Sequence, residues 1–235
     1  MKKRLWIALV ALPALVACQQ SWVYEAERNE QLMAAHKVTR VHYDVPPQVV
    51  YQIDDHRFIT VENYNSCYGD TWYNDTKQGV RTNVGETWVN GFLGKLVIDD
   101  PTGMNVVIPT ASTNLCGDRG CMSYFAYSTD GGRTFNWLQY DRDNISFDSV
   151  EASKSYTFSV TGDSLYVTVQ SGNYGDALTD RYPLGPGYVY GRDPKLPEAV
   201  RIEFNATLPP GLHTPTGQDH YICDASIHDP KVLKR

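Results

Sequence analysis

The residue whose setting comes nearest to that of a nucleophile is Ser164, in Gly162-Asp163-Ser164-Leu165. A serine hydroxyl attacks only with a base in hydrogen-bond reach. Downstream, the one acid–histidine pairing of comparable spacing is Asp224-Ala-Ser-Ile-His228. The flanks Phe158-Ser-Val160 and Tyr166-Val-Thr-Val169 alternate in strand fashion, so Gly-Asp-Ser is read as a hairpin turn. His213, His220 and His228 share the tail with Asp219, Asp224 and Asp229, all metal-ligand types. Their spacings fit no recognised site, and surface polar residues are expected. Asp54-Asp55 and Asp99-Asp100 could act as acid and base on a glycoside. Both pairs occupy turn positions, where Asp is favoured for its backbone hydrogen bonds. No catalytic residue, metal site or cofactor is expected.

The elements that would have to position any of these groups are strands. Runs at Val49–Ile53, Phe58–Tyr64, Val80–Val84, Thr87–Val97, Val106–Thr110, Tyr156–Val160 and Leu165–Gln170 are separated by Gly, Pro and Asp turns. Short runs at Tyr188–Tyr190, Val200–Phe204 and Tyr221–Cys223 follow. The predicted fold class is all-β: an antiparallel sandwich or a small propeller-like domain. Tyr64–Asp75 reads as an aromatic polar loop, and Ser171–Pro197 as a long surface loop. Ser128-Thr-Asp130-Gly-Gly132-Arg-Thr134-Phe135 resembles the Asp-box hairpin of sialidases and other β-rich proteins, with Ser128, Asp130, Gly132, Thr134 and Phe135 at its defining positions. That box is a structural turn. Sialidase chemistry also needs converging arginines, and nothing in the sequence brings together three of the eleven beyond residue 17. Gly162–Leu165 resembles the block of the GDSL hydrolases, but lies between strands deep in the chain, and Asp224–His228 is one residue too long for that family's Asp-x-x-His.

Lys2, Lys3 and Arg4 precede an apolar run, Leu5–Leu15, of signal-peptide length. It is shorter than the roughly 20 residues a spanning helix needs. Leu15-Val16-Ala17-Cys18 resembles a bacterial lipobox, so residues 1–17 are expected to be removed and Cys18 lipidated. With Gln19 next, the pattern resembles lipoproteins sorted to the outer membrane. Residues 18–35 form the tether, a short helix or an extended linker, and residues 36–235 a single β-rich domain. Cleavage removes three of 21 basic residues and none of 27 acids, moving the formal charge from −6 to −9. Nucleic acid is a poor partner for such a body. Cys67, Cys116, Cys121 and Cys223 are an even set in an exported chain, and two disulfides are expected over zinc. Three pairings are possible; Cys116–Cys121, closing a short loop, with Cys67–Cys223 is favoured. The aromatic segments supply candidate partner contacts at Tyr68, Trp72, Tyr73, Tyr174 and Tyr188.

Together the lipobox, the Val49–Ile53 and Arg57–Glu62 strands, the Tyr127–Phe135 box and the Cys-bearing tail resemble the periplasmic immunity lipoproteins that neutralise phospholipase effectors of the type VI secretion system. The resemblance implies a non-enzymatic inhibitor, held at the membrane by its lipid, whose partner is a phospholipase toxin. A carbohydrate-binding or sialidase-like surface lipoprotein is the alternative reading, from the Asp-box and the aromatics.

Overall fold

In Arg57–Asn65 the apolar residues Ile59 and Val61 fall on one face and Phe58, Thr60 and Glu62 on the other, the period of a half-buried strand. A computed structural model describes residues 41–111, 116–118, 120–141, 146–170, 177–191 and 193–231. Cys18, Tyr174 and the segment 1–40 lie outside the described residues. Tyr43–Arg235 forms one compact unit.

Three sheets surround its core. β1 (Gln48–Gln52), β2 (Arg57–Asn65), β3 (Tyr68–Asp75) and β4 (Val80–Trp88) make an antiparallel meander. A 3₁₀ turn, Val89–Gly91, leads to β5 (Lys95–Asp99) and β6 (Val106–Pro109). β7 (Cys116–Gly117) and β8 (Gly120–Cys121) form a small hairpin closed by the Cys116–Cys121 disulfide. β9 (Tyr124–Ser128) lies between β6 and β10 (Asn136–Gln139) in the second sheet. After helix α1 (Ser149–Ser153), β11 (Tyr156–Thr161), β12 (Ser164–Gln170) and β13 (Ala177–Pro183) complete the third, in the order β13-β12-β11-β5. The β5–β11 pair is parallel, a departure from the antiparallel expectation. Parallel neighbours need a long crossover, and the whole second sheet is inserted between these two strands. The described strands form no closed barrel.

The core is mostly valine, isoleucine and leucine, with a connected run of aromatic rings through it. Phe158 packs edge-to-face on Phe92, Phe125 and Tyr140, at centroid distances of 5.6, 5.4 and 5.1 Å. The series continues through Phe125–Tyr182 to Tyr182–Tyr190. Each such pair contributes about 0.5–1.5 kcal/mol beyond its buried area.

Tyr64–Asp75 is not a loop, as its composition suggested, but a strand–turn–strand. Ser66 and Cys67 both have positive φ (50° and 65°), as a two-residue hairpin turn demands, and Asn65 pairs Tyr68 across it. Gly69 is required there: a Cβ would meet Cβ of Tyr64 at 2.5 Å. Thr87–Val97 likewise breaks into the end of β4, the 3₁₀ turn and the start of β5. The expected 171–197 loop contains β13. Val200–Phe204 and Tyr221–Cys223 are not strands; they dock singly, through the Arg181–Glu203 bridge and through Ile222 N–H donating to the Val50 carbonyl at 2.9 Å. The tail is held by more than backbone. Tyr51, fully buried on β1, donates to Leu96 O at 2.6 Å and contacts the Thr214 hydroxyl at 2.7 Å, and the Cys67–Cys223 disulfide clips the tail to the β2–β3 turn.

Candidate partner-binding surfaces

The groups that suggested chemistry are engaged in structural tasks. Ser164 begins β12, is fully buried, and its hydroxyl accepts from Arg181 Nε at 2.8 Å. Thr161 Oγ1 accepts from Ser164 N–H at 3.1 Å, which makes Thr161–Ser164 a side-chain-closed turn. Among the described residues no imidazole is hydrogen-bonded to it. His213, His220 and His228 do not converge: His220 pairs with Asp219 at 2.5 Å, while His228 faces Asn65. Among the described residues Asp54, Asp55 and His56 are the group whose ligand atoms approach closely enough for a metal. Asp54 is already committed, however. Its carboxylate takes Arg57 Nε at 2.6 Å and the N–H groups of His56 and Arg57. Burial raises the Asp54 carboxyl, but those hydrogen bonds and the Arg57 charge outweigh it and hold the carboxyl below its ordinary range.

The Asp130 turn is a closed hydrogen-bond ring. Asp130 accepts the N–H groups of Arg133 and Thr134, each at 3.0 Å, and the Thr134 hydroxyl at 2.6 Å. Ser128 Oγ donates to the Asp130 carboxylate at 2.7 Å and accepts Gly132 N–H at 2.9 Å. Here too burial raises the carboxyl while the donors lower it further, and the net is a depressed pKa. Gly132 lies against Tyr73: a Cβ would fall 2.1 Å from Tyr73 Cε1, and its φ of 77° is in the left-handed region. Phe135 packs edge-on to the same ring at 6.1 Å. The turn is thus a brace between the second sheet and β3.

That placement corrects one candidate contact. Tyr73 is fully buried, on the inner face of β3, because alternation sends it opposite to Trp72. Its hydroxyl and Arg57 Nη1 are buried with no hydrogen-bond partner among the described residues. Tyr68 and Trp72 share the outer face. Tyr68 is 38% exposed. Trp72 is half-buried beneath Arg81, whose Cζ lies 4.0 Å from the ring centroid. Arg81 in turn donates to both carboxylate oxygens of Glu62 at 2.7 Å. Tyr188 is half-buried against Gly185, where a Cβ would meet its ring at 2.8 Å, so it braces a loop.

A second surface takes Tyr182 and Tyr190 from the aromatic 171–197 segment, but no pattern in the sequence marks its other walls. A groove of about 470 Å³ opens beside β13, lined by Leu138, Tyr182, Tyr190, Leu196, Ile202 and Phe204 among others. β10 supplies Leu138 and β13 supplies Tyr182; the far wall is the strandless 194–204 segment. This wall is tied on by the reciprocal Arg181–Glu203 backbone bonds (2.8 and 3.0 Å) and by Ala206 N–H to Thr179 O at 2.8 Å. At its base the Tyr127 hydroxyl accepts Tyr190 N–H at 2.6 Å.

No curated protein matches the chain. The family described as T6SS Tli3 immunity protein matches residues 43–169, more than half of the 235. The match runs from before β1 to the end of β12, so it includes the Asp130 turn and the Trp72 face; the outer wall of the groove lies beyond it. From that span, the chain belongs to the T6SS Tli3 immunity protein family.

Proposed function

We propose that the protein is a lipid-anchored periplasmic inhibitor that binds and neutralises a phospholipase effector of the type VI secretion system. Membership of an immunity family across β1–β12 is the observation that carries this reading. The Leu15–Cys18 lipobox supports the anchor, and an anchor at Cys18 would concentrate the inhibitor at the surface a phospholipase attacks. Two disulfides support an oxidising compartment. Neutralisation needs no catalytic group, only a complex that covers the toxin's working surface.

The outer face of the β1–β4 meander is the proposed contact. Tyr68, Trp72 and Arg81 are residue types that dominate interface energetics, and a four-stranded sheet presents them with little ordering cost on binding. The test has two parts. Cells lacking the gene should be killed by a donor carrying the cognate effector and rescued by the gene in trans. The purified pair should form a 1:1 complex that stops hydrolysis of phospholipid vesicles. Survival of the deletion strain at parental levels would refute the reading. Protection without any lipase activity in the effector would leave the immunity role and remove the phospholipase.

A further inference from the structure

The groove beside β13 is separate from the proposed effector face, and its chemistry points to a different kind of ligand. Among the described residues its lining is aliphatic and aromatic apart from Arg201, the one charged side chain there. The tyrosine hydroxyl nearest the base is turned away: Tyr190 donates to the Pro183 carbonyl. Arg201 donates through Nη1 to the Val200 carbonyl, and among the described residues no carboxylate lies within ion-pair distance of it. Glu203, two residues along, is taken by Arg181 at 2.8 Å. A volume of about 470 Å³ falls in the range of small-molecule sites, which are mostly apolar with a few placed polar groups. It exceeds what one inserted side chain would fill. Phe204, which also lines the groove, is 71% exposed.

We propose that this groove binds a single-chain amphiphile, with its apolar chain along Leu138, Tyr182, Leu196 and Ile202 and its anionic head, carboxylate or phosphate, on Arg201. The charge decides the head group: an unpaired guanidinium at the rim of an apolar cavity favours an anion and repels an ammonium. The apolar wall decides the tail. The inference does not rest on the identity of the effector.

The test uses the full chain carrying Cys18→Ser, exported and purified without detergent, and isothermal titration with probes below their micelle concentrations. Dodecanoate and dodecyl phosphate should bind 1:1, and whichever binds tighter identifies the head group. Dodecylammonium should bind at least about tenfold more weakly. From octanoate to dodecanoate each added methylene should tighten binding roughly fourfold, as burial of a CH₂ group requires. Arg201→Glu should abolish the preference for anions, Arg201→Lys should restore most of it, and Ile202→Arg should abolish chain binding while the thermal midpoint stays within a few degrees. Equal binding of the three head groups, or dodecanoate binding unaffected by Ile202→Arg, would overturn the proposal. So would the absence of saturable dodecanoate binding to a folded protein. Protection against an effector that survives Ile202→Arg would separate the two surfaces.

Discussion

On the outer face of the β1–β4 meander the polar groups beside Trp72 already have partners within the sheet: Arg81 holds Glu62, and Asn63 holds Asp70. Among the described residues, the groove beside β13 has one cation, Arg201, and it has no acidic partner. The first surface is backed by a packed core and the Asp130 turn. The second is walled on one side by a segment attached at a few backbone bonds. One small β domain thus presents two surfaces of different character. A pre-ordered sheet face suits a large rigid partner, because little side-chain entropy is lost on contact. An uncommitted apolar groove suits a ligand that brings the missing charge with it.

Substitutions on each surface, and in the core behind them, test this contrast. The largest effect is expected at the clip under the sheet face. The Cys67–Cys223 bond spans 156 residues, and its loss through Cys67→Ser with Cys223→Ser should cost about 5 kcal/mol in urea unfolding by the chain-entropy argument. The Cys116–Cys121 bond spans five and should cost about 2 kcal/mol. If both pairs of substitutions cost the same, the clip is not what fixes the tail.

Next is the core residue behind the face. Tyr73→Ala should cost about 3–5 kcal/mol, because it empties the site against which Gly132 and Phe135 pack. Tyr73→Phe should be near neutral or stabilising, since the hydroxyl it removes is buried without a partner among the described residues. A cost above about 1.5 kcal/mol for Tyr73→Phe would mean that the hydroxyl is bonded after all.

Trp72→Ala should weaken effector binding about 30-fold, as loss of a hot-spot residue does, and leave amphiphile binding intact. Ile202→Arg should do the reverse. If one variant removed both activities, the two surfaces would not be independent.

Asp130→Ala should cost about 1–2 kcal/mol through the lost turn bonds. Because the folded-state pKa of Asp130 lies below its unfolded value, its contribution is fully present above about pH 4. It is lost as pH falls through the folded pKa. Asp54 has the same sign. The wild-type chain should therefore lose stability more steeply than the Asp130→Ala variant below about pH 4, measured by urea midpoints.

The smallest effect is expected within the groove wall. Ala199 has φ 68°, which an L-residue with a Cβ adopts at a cost. Ala199→Gly should gain about 0.5 kcal/mol after glycine's own entropy cost, read from the thermal midpoint.

Much of the fold was legible because its signals are local. The Tyr156–Gln170 hairpin shows strict alternation about a Gly-Asp turn, and the Asp130 turn carries its hydrogen-bonding groups within seven residues. The β2–β3 hairpin was missed because its turn, Ser66-Cys67, lacks the usual Asn-Gly, and its left-handed φ values are held by pairing on both sides. β13 was missed because Ala177–Pro183 has no alternating apolar pattern and ends in proline, and it is made a strand by the seven-residue register with β12. Of the candidate contacts, Tyr68 and Trp72 were visible by type, but nothing local says that Tyr73 points inward.

The strand-rich class, the acidic charge and the aspartate turns could be read from the chain alone, because periodicity, composition and turn chemistry act within a few residues; the likeness to an immunity family was a resemblance carried by its motifs. Tertiary structure alone decided which aromatics are surface and which are core, that Ser164 is a buried acceptor for Arg181, and that residues as far apart as Leu138 and Phe204 line one groove. Such a cavity is made by distant segments closing on each other, and no pattern along the chain encodes the space left between them.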